Sequence, residues 1–188
     1  MAAATVHEAA IARSPRRQPH VHPRPSPTKE TPRQRITPSL WFDGRAEEAA
    51  DLYTSIVPTW RIWGIDRYRD AGPGPKGAAM AVTFQLEGQE FMALSGGPPF
   101  TVSPAISFFV SCTTQPEADE LWDRLTEGGE ANRCGWLRDK FGVSWQIVPA
   151  ALGERLHDPD PDRANRVMTA MLQMGTIDIA GWRVAYRH

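Results

Sequence analysis

The chain has 188 residues, 41% of them hydrophobic, and a formal net charge of -1. That length suits one domain with its own core, and no run approaches the roughly 18 apolar residues of a membrane span or the apolar stretch of a secretory leader. Two cysteines, Cys112 and Cys134, are too few for a disulfide framework and lack a metal-type CxxC spacing, so a reduced, cytoplasmic protein is expected.

Charge is unevenly spread. Residues 1–35 carry seven arginines and lysines against Glu8 and Glu30, with six prolines and three histidines. Such a segment has little apolar surface to offset the entropy of ordering, which predicts a disordered, basic Pro/Arg-rich tail. A nucleic-acid arm or an organelle transit segment would share this composition, and a solvated tail is the simplest reading. Residues 36–188 then hold 14 basic residues against 20 acidic ones. An acidic folded part argues against nucleic acid as the main partner.

Order is expected from Ile36. A β-prone run to Phe42 closes at Asp43-Gly44, and Ala46, Ala49, Ala50, Leu52, Tyr53 and Ile56 then recur at helical spacing until Val57-Pro58. Strands follow over 60–68, 79–86 and 89–94, the last two joined by a tight hairpin at Glu87-Gly88. Between them, residues 70–77 (DAGPGPKG) read as a connector: prolines remove the amide donors a phosphate loop requires, and the GxxxxGK[ST] spacing is missing.

The pattern then repeats. A strand over 105–112, a helix over 116–125, a third element around Arg133 to Leu137 and a strand over 143–148 restart the same strand–helix–strand order. The helix residues Glu48, Ala49, Leu52, Tyr53 and Ile56 match Glu117, Ala118, Leu121, Trp122 and Leu125 at a constant offset of 69, which supports an internal duplication. Helices are expected over 150–156 and 163–174, with Asp158-Pro159-Asp160-Pro161 supplying an N-cap, and a final turn or two from Asp178 to Tyr186. The stripe Val167, Met168, Met171, Leu172 and Met174 suits core or dimer packing.

Four blocks carry a resemblance: residues 36–44 (ITPSLWFDG), 88–97 (GQEFMALSGG), 134–149 (CGWLRDKFGVSWQIVP) and 167–174 (VMTAMLQM). In that order they resemble the PhnB-like family of the vicinal oxygen chelate superfamily, which also holds glyoxalases, bleomycin-resistance proteins and extradiol dioxygenases. The family is often labelled 3-demethylubiquinone-9 3-methyltransferase. The resemblance implies an α+β fold in which two βαβββ modules, about 36–97 and 104–149, form a cup-shaped mixed sheet, with C-terminal helices over 150–187. It also implies a homodimer enclosing small-molecule sites. The metal enzymes of the superfamily place His, Gln and Glu ligands inside the cup; by this alignment the final Glu position falls on Gln146 and the others fall near Pro38, Met92 and Ala105. No metal or other cofactor is therefore expected.

Chemistry is otherwise sparse. Outside the tail only His157 and His188 could serve a Cys-His or Ser-His pair, and Cys112 and Cys134 read as buried, inert thiols on neighbouring strands. A carboxylate base from Asp43, Glu90 or Asp139 stays open, although Asp43 and Asp139 sit in turns where capping is the commoner role. Aromatic supply is the positive signal: Trp41, Trp136 and Trp145 fall on cup strands with Met92 and Phe108 near them, and Gln146 offers a polar anchor. These six are the candidate ligand-binding residues. The leading expectation is a metal-free dimeric binder of a small, partly aromatic molecule. A methyltransferase or metal-dependent lyase or dioxygenase, and a structural or regulatory dimer, are the alternatives.

Overall fold

The computed structural model describes residues 34–187; the expectations for the tail before Gln34 and for His188 lie outside the described residues. The first module contains β1 (Ser39–Phe42), α1 (Ala46–Ile56), β2 (Trp60–Arg67), β3 (Ala79–Leu86) and β4 (Gln89–Ser95). The second contains β5 (Ser107–Cys112), α2 (Gln115–Thr126), β6 (Glu130–Ala131), β7 (Trp136–Arg138) and β8 (Ser144–Pro149). Helices α3 (Ala150–Leu156), α4 (Pro161–Leu172) and α5 (Ile179–Arg187) follow. The expected α+β fold of two βαβββ modules with C-terminal helices is present. Each module builds its own four-stranded mixed sheet, ordered β1-β4-β3-β2 and β5-β8-β7-β6, with β1/β4 and β5/β8 parallel.

Local chemistry explains the elements. Helix α1 turns Ala46, Ala49, Ala50 and Tyr53 inward, all at most 1% exposed, and the three alanines let the helix lie close on its sheet. Its N-terminus has no side-chain cap of its own; the Ser95 hydroxyl accepts from the Ala46 amide instead. Pro58 forces Val57 into extended backbone and ends the helix. The β3–β4 hairpin turns through Glu87 and Gly88, both with positive φ, as a two-residue primed turn demands. Helix α2 is capped by Thr114, whose hydroxyl accepts from the Glu117 amide while the Glu117 carboxylate accepts from the Thr113 amide and hydroxyl.

One core cluster runs through both modules, from Phe42, Phe84 and Phe91 to Leu125, Trp145 and Ile147. Asp139, 3% exposed in the turn after β7, joins its parts. Its Oδ1 accepts from the amides of Phe141 and Val143, and its Oδ2 from the Tyr53 hydroxyl at 2.8 Å and the Trp145 indole at 2.9 Å. Tyr53 belongs to the first module and the other donors to the second. Burial, followed by the Asp139 charge, pushes the Tyr53 hydroxyl well above the usual phenol range, so it stays a donor at all ordinary pH. Near the module boundary, the Arg124 guanidinium donates to the Ser55 carbonyl and hydroxyl. Those two residues correspond under the offset of 69.

Helices α3 to α5 form a second small core around Leu152, Val167, Ile177 and Trp182. The Gln115 side chain clamps them to α2 by donating to the Ile177 carbonyl and accepting from the Ile179 amide. The stripe on α4 divides: Val167 is buried and Met171 and Met174 pack on this core, whereas Met168 and Leu172 are 40% and 48% exposed. Among the described residues no helix is long and apolar enough to cross a membrane.

Asp139→Asn should lower unfolding stability by about 2–4 kcal/mol, because an amide nitrogen would face the Trp145 indole and leave a buried donor unpaired. Tyr53→Phe, which removes one bond and keeps the ring, should cost about 1–2 kcal/mol. Urea denaturation midpoints check both.

Candidate functional site

Each sheet has a core side and an open side. Strand alternation puts Leu40, Phe42, Phe84, Phe91 and Ala93 on the core side of the first sheet. Ser39, Trp41, Met92 and Leu94, paired in register across β1 and β4, lie on the opposite side. In the second sheet Leu137, Trp145 and Ile147 are buried, while Trp136 and Gln146 take the alternate positions.

The six sequence candidates thus divide. Trp41, Met92, Trp136 and Gln146 are half-buried residues of the open sides. Trp145 is 3% exposed, bonded to Asp139, with the Tyr53 and Phe108 rings 5.2 Å away on either hand. Phe108 shares that side and meets Phe91 of the first module edge-on at 5.1 Å. Trp41 is held in place: its indole donates to the Gly97 carbonyl at 2.8 Å, Phe100 packs edge-on at 5.1 Å, and its ring lies so close over Gly96 that any Cβ there would collide.

Phe109, which sequence reasoning passed over, is 60% exposed on the open side of β5. Parallel pairing sets it beside Gln146, and antiparallel pairing sets Trp136 on the other flank of Gln146. The row Phe109, Gln146, Trp136 spans two strand intervals, about 10 Å. The Gln146 amide donates to the Ser107 hydroxyl at 2.8 Å, which fixes its orientation and leaves its oxygen to accept. Strand phase relative to the buried Cys112 was the signal that could have found Phe109.

Other candidates have structural partners. Among the described residues no three His, Cys, Asp or Glu side chains are grouped to hold a metal. Of the positions near the aligned metal ligands, the Pro38 carbonyl already accepts from the Met92 amide, only Gln146 has an oxygen or nitrogen donor in its side chain and Met92 offers a soft thioether, so this set does not fit a resident zinc or ferrous ion. His157 sits at the end of α3 with Nδ1 2.7 Å from the Gly153 carbonyl oxygen. The glycine-proline segment joins antiparallel β2 and β3 rather than leading from a parallel strand into a helix, so it does not fit a nucleotide-type methyl donor either. The thiols differ from the expected neighbouring-strand pair. Cys112 is buried on β5, whereas Cys134 is partly exposed in the turn before β7, with φ +58°, because its amide and that of Gly135 reach the carbonyls of Met174 and Gly175.

A family model described as 3-demethylubiquinone-9 3-methyltransferase matches residues 34–148. A solved PhnB protein from Bacillus cereus is 40% identical, with a TM-score of 0.58, covering 61% of this chain and 99% of that one. Protein PA1353 from Pseudomonas aeruginosa is 24% identical over 61% of this chain and 95% of its own, with a TM-score of 0.49. A Staphylococcus aureus protein is 30% identical over 60% and 92%, with a TM-score of 0.28. No curated protein matches the chain.

Burial raises the Cys112 thiol to about 11, with the nearby Glu117 charge adding to the effect. At pH 8 only about 0.1% of such a thiol is ionised. Brief iodoacetamide treatment of the folded protein should therefore label Cys134 and spare Cys112, as read by peptide mass spectrometry. Both should react in denaturant.

Proposed function

Because the chain belongs to the 3-demethylubiquinone-9 3-methyltransferase family, the PhnB-like branch of the vicinal oxygen chelate superfamily, we propose that it is a metal-free, dimeric, cytoplasmic binder of a small, partly aromatic molecule. The observation that carries this reading is the Phe109, Gln146, Trp136 row. Two aromatic surfaces flank one amide whose orientation is fixed by Ser107. A planar molecule lying on this row would stack on the rings and direct a hydroxyl or N–H to the Gln146 oxygen.

Trp41 and Met92 supply the matching apolar surface of the first module. Trp145 and Phe108 support the second sheet from its core side, where their packing holds β8 in the register that presents Gln146. A second copy of the chain would complete the enclosure, and the exposed Phe100 and Ile106, at 64% and 69%, suit such a contact. Methyl transfer, which the family description names, is not part of this reading, since the connector between the antiparallel β2 and β3 lacks the strand-to-helix setting of a nucleotide-type methyl-donor site.

Titration with a panel of small planar phenols should quench tryptophan fluorescence saturably for at least one compound. Gln146→Ala should weaken that compound about fivefold, the value of one hydrogen bond of about 1 kcal/mol. Phe109→Ala and Trp136→Ala should each weaken it by about tenfold or more. Calorimetry with S-adenosylmethionine should show no binding heat. Saturable binding of S-adenosylmethionine, or no response to any phenol, contradicts the reading.

A further inference from the structure

Strand β2 ends the first sheet and, among the described residues, pairs with β3 alone. Its outward backbone amides and carbonyls, along Trp60–Arg67, meet no further strand. Such an edge is a template for another chain.

Side alternation along β2 is interrupted once. Trp60, Arg61 and Ile62 stand opposite Leu86, Gln85 and Phe84, whereas Gly64, Ile65 and Asp66 stand opposite Thr83, Val82 and Ala81, which leaves Trp63 as an extra, bulged residue. Ile62 and Ile65 therefore share the core side with Phe84 and Val82, and Arg61 and Asp66 share the open side with Gln85 and Ala81. In a regular strand, residues five apart point to opposite sides, so the bulge is what sets this cation and this anion on one side. Arg61 lies over the Trp63 ring, 5.6 Å from its centroid, and Asp66 is exposed; among the described residues neither has an ion-pair partner.

These positions are complementary to themselves. With a second β2 laid antiparallel so that Trp63 stands opposite Gly64, Ile62 faces Ile65, Arg61 faces Asp66 and Trp60 faces Arg67, each contact being made twice about the two-fold axis. A slip of one residue would set Arg61 against Arg67 or Ile65 and mix the two sides. Bulges and charges on an edge strand ordinarily prevent pairing, because the charges meet nothing or their own kind. Here each open-side charge meets its opposite, and a tryptophan covers a glycine. The Trp63 indole N–H is shut off from solvent without an acceptor among the described residues, an unmet donor on the strand that lacks a neighbour.

We propose that the β2 edge joins a second copy of this chain, with Arg61 of each copy paired to Asp66 of the other. The contact lies at the far edge of the first sheet from β1, where Phe100 packs on Trp41, and it does not rest on the ligand reading above. Sedimentation velocity of the full chain over rising concentration tests it. The native chain should associate reversibly, and less so at high salt. Arg61→Asp and Asp66→Arg should each weaken that step at least about tenfold, since two exposed ion pairs are replaced by like charges. An equimolar mixture of the two variants should recover it, because every opposed pair is then again opposite in sign, and so should the double variant R61D/D66R. Both positions are exposed on the strand, so all variants should keep the native circular dichroism. No association of the native chain up to about 1 mM, association that the single variants leave unchanged, or a mixture that fails to recover it would overturn the proposal.

Discussion

The carboxylate of Asp139 accepts four hydrogen bonds in a site almost closed to water. A buried charge is tolerated only when its lone pairs are occupied, and here the occupants are two amides of its own turn, an indole on β8 and a phenol on α1. The first two shape the hairpin between β7 and β8. The indole sets the phase of β8, and the phenol reaches from the other module. A single ionised group thereby links local turn chemistry to the pairing of the two halves. Tyr53 touches Phe84, Phe141 and Trp145 as well, so the polar link stands inside an aromatic cluster rather than beside one.

From that link the placement of the candidate site follows. With Trp145 turned toward Tyr53, alternation along β8 turns Gln146 to the other side, where Ser107 orients it and Phe109 and Trp136 flank it. The open side of the second sheet thus rests on a well-packed layer, which restricts the motion of the row that would meet a ligand. The C-terminal helices lie beyond the residues that the family model matches, yet they are not loosely attached. Gln115 and the amides of Cys134 and Gly135 bind them to the second module, close to the turn that leads into β7.

Much of the fold was legible in the chain because its signals are local. The alanine stripe and Val57-Pro58 define α1, Glu87-Gly88 defines a hairpin, and Asp160 with Pro161 defines the start of α4, where its carboxylate accepts from Asp162 and Arg163. The repeat was also visible, but its helix offset does not extend to the strands. Ala46 opens α1 four residues after the buried Phe42, whereas Gln115 opens α2 three residues after the buried Cys112. One residue of difference exchanges the two sides of a strand, which is why Phe109 rather than Phe108 shares a side with Gln146. The two-residue β6 gave no periodicity to read. Asp139 and Tyr53 are 86 residues apart, and no local pattern announces such a pairing.

Native-state hydrogen exchange tests most directly whether this link makes the two modules one cooperative unit. Amides of Val82 and Ala93 in the first sheet and of Val110 and Ile147 in the second should exchange through a single opening, with the same free energy and the same dependence on denaturant. If the second sheet opened at a clearly lower free energy while the first stayed protected, the modules would be separate units, and Asp139 would not hold them together.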